Sequence, residues 1–173
     1  FFEHYNYTKG SIAYLQLNEK LETVGSPHIL DLPIKSHLSY PYLFEDNGNL
    51  YFIPESCHNS TISLFKCEEF PHKWSWVRNI LEKPCHGADN SLIKHNNLYY
   101  LFVHNYVQGQ YWPVIYYASS LEEPFQEHPL AKIGARKIPE ASECYHTHCT
   151  RGAGKIFFAG DRLIRPAQFS QRG

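Results

Sequence analysis

Apolar positions in this chain fall into short runs, and the runs repeat. Tyr40 to Ser56 (YPYLFEDNGNLYFIPES) returns as Asp89 to Asn105 (DNSLIKHNNLYYLFVHN) and, more loosely, as Ala153 to Gln168 (AGKIFFAGDRLIRPAQ). In each copy a short apolar run (Leu43-Phe44, Leu92-Ile93, Ile156-Phe157) meets a turn (Asp46-Asn47-Gly48, His95-Asn96-Asn97, Ala159-Gly160-Asp161). A second apolar run follows at once (Leu50-Tyr51-Phe52, Leu98-Tyr99-Tyr100, Leu163-Ile164). That pattern predicts a β-hairpin three times over. Leu50 and Leu98 lie 48 residues apart, and a period of roughly 40 to 50 residues with several strands per unit is that of propeller blades.

The second half of each unit recurs as well. Ser63 to Cys67 precedes Phe70-Pro71 and Trp74, and Ile115 to Ser119 precedes Pro124-Phe125. Each predicts a third strand, a loop and an outer fourth strand, the outer strands being Ser75 to Leu81 and Glu127 to Ile133. Near the N-terminus Ile12 to Leu17 matches the third strand, and Phe2-Glu3-His4 matches the end of the second. The expected fold is all-β: a partial five-bladed β-propeller. It comprises a half blade at 1–34, blades at 38–84 and 87–133, and the start of a further blade at 151–168. An opened ring leaves strand edges that natural folds avoid, so the missing strands are expected outside this sequence.

Charge and composition narrow the function. Sixteen basic side chains balance seventeen acidic ones with no basic run, so the footprint of a nucleic-acid binder is absent. No stretch has the roughly 20 apolar residues of a membrane-spanning helix. Aromatic residues make up 16% of the chain, which suits strands packed between blades and also faces that stack on sugar rings. Five cysteines, an odd number without a compact framework, favour reduced thiols and a cytoplasmic setting. The run Cys144 to Cys149 (CYHTHC) holds zinc-type side chains but lacks the spacing of a zinc site, so no metal or cofactor is expected.

The residues Ser39-Tyr40-Pro41-Tyr42, Pro54-Glu55-Ser56, Phe70 to Trp74, Ala88-Asp89, Arg151 to Gly154 and Arg165 to Gln168 together carry a family likeness. In that order they resemble the N-terminal propeller domain of glucosamine inositolphosphorylceramide transferases and their bacterial relatives. That domain is similar to the five-bladed propellers of arabinanases, levansucrases and invertases. The resemblance implies a neighbouring or attached glycosyltransferase part, whose activity does not pass to these 173 residues.

Glycoside hydrolysis needs two carboxyl groups facing one bond. The inner-strand position that carries an acid in the related hydrolases corresponds to Tyr40, Asp89 and Ala153 here, so one of three is acidic. Asp89 resembles the hydrolases' auxiliary acid. Glu55 and Glu3 match one another at the end of the second strand, with Val103 as the expected counterpart. Glu143-Cys144 is similar to an invertase-type acid catalyst pair but lies in a polar connection. Arg151 and Arg165 carry planar guanidinium groups able to grip hydroxyls, carboxylates or phosphates, and Gln168 lies beside them. The sequence therefore nominates a funnel of Tyr40, Glu55, Asp89, Arg151, Arg165 and Gln168, with no catalytic residue assigned. It is expected to bind a glycan or sugar nucleotide as an accessory module rather than to cleave one. A hydrolase or transglycosidase of the arabinanase and invertase type, and a structural domain that positions a partner transferase, are the alternatives.

Overall fold

The computed structural model describes residues 1–82, 86–107, 110–129 and 151–168. The segment expected to continue the outer strand beyond Pro129, and the Glu143-Cys144 and Cys144 to Cys149 runs, lie outside them. Among the described residues every regular element but one short helical turn is a strand. In chain order these are β1 (Phe2–Tyr5), β2 (Gly10–Leu17), β3 (Thr23–Ile29), β4 (Ser39–Asp46), β5 (Asn49–Glu55), β6 (Ile62–Glu69) and β7 (Lys73–Leu81). They continue with β8 (Gly87–His95), β9 (Leu98–Val107), β10 (Gln110–Ala118), β11 (Gln126–Glu127), β12 (Phe157–Ala159) and β13 (Arg162–Ile164). They form four separate antiparallel meanders: β1-β2-β3, β4-β5-β6-β7, β8-β9-β10-β11 and β12-β13. Leu50, Leu98 and Leu163 thus sit in β5, β9 and β13, the second hairpin strands of three different sheets.

Turn chemistry sets the hairpins. Asn47 and Gly48 have φ of 48° and 73°, and Asn96 and Asn97 have φ of 49° and 62°. Positive φ at both central residues matches the twist of the flanking strands, and Asn and Gly tolerate it at least cost. These turns correct one detail of the sequence alignment. Leu50 pairs with Glu45 and Leu163 with Phe158, but Leu98 pairs with His95, one place nearer the turn. Tyr99, paired with Lys94, is the true counterpart of Leu50.

Successive sheets pack face to face. Between the first and second lie Ile12, Leu30, Leu38, Phe52, Phe65 and Trp74; Phe52 stacks on Phe65 at 4.9 Å and meets Trp74 edge-on at 4.8 Å. Full burial of a side chain such as Phe52 contributes about 1.5–3 kcal/mol. Between the second and third lie Phe44, Ile53, Ile62, Leu64, Leu92, Leu101 and Val103. The third sheet also folds back on the second, since Leu121 and Phe125 join that core and the Phe125 amide donates to Ile80 O. This is blade packing, and it brings the starts of the inner strands β4 and β8 together.

Candidate functional site at the start of the inner strands

Both inner strands carry the same irregularity. On β4–β5 the pairing steps from Ser39↔Glu55 to Tyr42↔Ile53, and on β8–β9 from Ala88↔His104 to Ser91↔Phe102. Each inner strand therefore holds one residue more than its partner, a β-bulge. The first bulge residue takes positive φ in both: 42° for Tyr40 and 47° for Asp89. Positive φ is uncommon outside glycine, more so for a bulky residue than for Asp. Its recurrence at matched places marks a device that re-aims a side chain.

Counting from the last turn residue fixes the other equivalences. Glu55, His104 and Gln168 each stand six places after Asn49, Leu98 and Arg162, the residues that reopen the ladder. The expected counterpart of Glu55, Val103, is therefore displaced by His104. Val103 is 1% exposed in the apolar core, whereas His104 belongs to the polar cluster. Aligning on the two Asn-initiated turns rather than on leucine would have found it. By the same count Arg165 occupies the place of Phe52 and Leu101, both core residues.

The six nominated residues gather here. Asp89 is 3% exposed and accepts a hydrogen bond from Arg151 Nε. Glu55 reaches across from the preceding sheet, its Oε2 accepting the Asp89 amide at 3.0 Å. Tyr40 Oη accepts the Gly154 amide at 2.8 Å, and Gln168 Nε2 donates to Gly152 O at 2.7 Å. The Arg165 guanidinium lies 5.6 Å above the Phe102 ring, and burial lowers its hold on the proton against the pull of Tyr40 and Asp89. His104 is buried beside them. Burial, aided by the positive charges of Arg151 and Arg165 and opposed by Asp89, pushes its pKa down to about 4, so at neutral pH it is an uncharged imidazole.

Gly152 is the keystone of this contact. A Cβ there would stand 2.6 Å from Asp89 O and 3.1 Å from both Ser91 Oγ and Tyr40 Oη, so only glycine lets the last hairpin sit against both bulges. At the other end of the inner strands a cleft of about 510 Å3 opens between Tyr42, Phe44, Asp46, Lys94, Tyr99 and Lys155. None of the six nominated residues lines it. Lys94 closes one wall, 2.8 Å from Asp46 and 4.7 Å above the Tyr99 ring.

The family described as "Glucosamine inositolphosphorylceramide transferase 1, N-terminal" matches residues 2–172. The chain belongs to that family. Proteins named glucosamine inositolphosphorylceramide transferase 1 are similar to it over 76% of its length. The one from Arabidopsis thaliana is 31% identical over 141 residues, and the one from Oryza sativa subsp. indica 26% identical over 132. This member of the transferase 1 N-terminal family spans only 16 to 17% of the length of those relatives. A crystal structure of a thermostable family-43 glycoside hydrolase aligns with a TM-score of 0.43 at 12% identity, covering 73% of this chain and 52% of that one. Within the family likeness expected from the sequence, the all-β blade architecture and the meeting of the nominated residues are both present. Among the described residues no cluster of His, Cys, Asp or Glu could hold a metal ion, and no helix is long and apolar enough to cross a membrane.

Proposed function

We propose that this chain is a carbohydrate- or sugar-nucleotide-associated propeller module of a glycosyltransferase-type protein, one that binds rather than cleaves. The observation that carries this reading is the bulge position. Of Tyr40, Asp89 and Ala153 only Asp89 is a carboxylate, and it is already engaged by Arg151. Glu55, the nearest second acid, spends Oε2 on a backbone amide. Hydrolysis needs two carboxyl groups facing one bond, whereas hydroxyl recognition needs convergent donors and acceptors. Arg151, Arg165, Tyr40, Gln168 and neutral His104 supply these around Asp89. The relatives' names support a glycosyltransferase context, and the partner is then an attached or neighbouring transferase domain.

Calorimetric titration with a panel of glycans and sugar nucleotides, run beside a reducing-sugar release assay, tests this. The expected result is weak saccharide binding without release, reduced by Asp89→Asn and by Arg165→Ala while the far-ultraviolet spectrum stays that of the parent. Sugar release abolished in Asp89→Asn would replace the binding module by a hydrolase. No binding to any ligand would leave a domain that only positions its partner.

A further inference from the structure

The second bulge holds a feature that the ion pair leaves unexplained. Asn90 and Ser91 follow Asp89 on β8, and both are 0% exposed. Asn90 Nδ2, Asn90 Oδ1 and Ser91 Oγ have no hydrogen-bond partner among the described residues. Burying polar atoms without partners costs more than a hydrogen bond ordinarily gains. Groups left in that condition in a folded protein call for a missing water, ion or ligand.

The repeat shows that the fold does not require them. The equivalent places are Pro41 and Tyr42 in the first bulge and, by the same count, Gly154 and Lys155 in the last hairpin. Tyr42 is as deeply placed, at 5% exposed, yet its hydroxyl donates to Leu92 O at 2.7 Å. Only β8 carries polar side chains at all three consecutive bulge places, Asp89, Asn90 and Ser91.

The orphan atoms select the occupant's chemistry. Nδ2 donates, Oδ1 accepts and a hydroxyl does either. A cation would meet the Nδ2 hydrogens, and an anion would meet Oδ1. A neutral O–H satisfies both at once, accepting from Nδ2 and donating to Oδ1. Glycine approaches on each side: a Cβ on Gly87 would lie 3.1 Å from Asn90 Oδ1, and one on Gly152 would lie 3.1 Å from Ser91 Oγ.

We infer that the Asn90 carboxamide in the second bulge is a hydroxyl-binding site that takes an O–H group, either an internal water or a sugar hydroxyl. Full enclosure favours water as the resident. The sugar alternative rests on the saccharide-binding reading above; the water does not.

Two measurements decide it. A high-resolution crystal structure of the protein, grown alone and then soaked with D-glucose, L-arabinose or uridine diphosphate glucose, should show an oxygen within about 3.2 Å of Asn90 Nδ2 or Oδ1. Oxygen in the sugar-free crystals is water, and a sugar hydroxyl in its place after soaking identifies the second source. In thermal melts Asn90→Leu, close to isosteric but apolar, should lower Tm by about 2 to 8 °C by evicting the occupant. Ser91→Ala should shift it the same way by less. If calorimetry finds a sugar bound while the bulge keeps only water, the functional reading stands and only the sugar source is lost. If no sugar binds anywhere but the water is present, the functional reading fails and the site stands. A bulge without any oxygen, together with an Asn90→Leu protein that melts at the parent temperature or above, overturns the inference.

Discussion

The two bulges share a backbone and differ in everything their side chains do. At the first, Tyr40 uses its hydroxyl to hold the Gly154 amide, and Pro41 and Tyr42 complete a wall that is mostly apolar. At the second, the same backbone turns a carboxylate inward, flanks it with two buried polar residues and surrounds it with Arg151, Arg165 and His104. Fold and chemistry are thus separable here. The bulge is a mount that either kind of side chain can occupy, and the second mount holds the chemistry.

The most severe way to break the comparison is at the point where both bulges meet. Gly152→Val places a branched side chain where even a Cβ stands 2.6 Å from Asp89 O. It should cost about 3 kcal/mol or more, read as a lower urea midpoint, with the last hairpin losing its hydrogen-exchange protection first. A parent-like midpoint would mean that the hairpin does not dock as described.

Truncating the mounted side chains separately sharpens the contrast. Asp89→Ala removes one partner of Arg151, whose side chain is 49% exposed. Discounted for that exposure, the loss should be about 2 kcal/mol, and it should shrink in high salt. Tyr40→Ala should cost a similar amount or less but show no salt dependence, because what it loses is one hydrogen bond and half-buried ring area. Equal salt dependence in chemical denaturation of the two variants would erase the distinction.

His104 gives the second bulge a pH response. Its folded pKa, about 4, lies below the 6.5 of an unfolded chain, so between these values the unfolded state binds more protons. Stability should be fully present above about pH 6.5 and decline as pH falls towards 4, by about 3 kcal/mol from this residue. His104→Gln should flatten that segment of the stability profile. A profile unchanged by the substitution would show that another group is responsible. The smallest effect belongs to Lys94→Ala at the opposite end of the strands. That ammonium is well exposed and, paired with Asp46, its pKa is pushed up to about 12; Tm should barely move at physiological salt.

Much of this was written in the order of residues. The hairpins were legible because Asn-Gly and Asn-Asn turns and the apolar runs beside them act locally. The nominated residues were legible because a repeat superimposes its copies, so whatever is polar at a core-type place stands out, as Arg165 does. Strand β3 was not expected: Thr23–Ile29 is exposed throughout and contains Gly25 and Pro27, which an outer edge tolerates but no propensity announces. His104 was hidden by a one-residue slip at Leu98, and the bulges themselves were invisible, since an extra residue shows only against its partner strand. The task of Glu55 belongs to contact between sheets, which no local signal encodes.

The hydrogen bonds that cross between sheets have a consequence for how opening of the molecule can be observed. The Gly10 amide donates to His37 Nδ1 at 2.9 Å, the Asp89 amide to Glu55 and the Gly154 amide to Tyr40 Oη. Each of these amides is shielded by a side chain from another sheet or from the segment leading into it, not by a ladder partner. Their exchange with deuterated solvent therefore clocks the separation of one sheet from the next, while ladder amides in the same strands clock fraying. Three hydrogens, read individually by NMR, would time the parting of the sheets seam by seam.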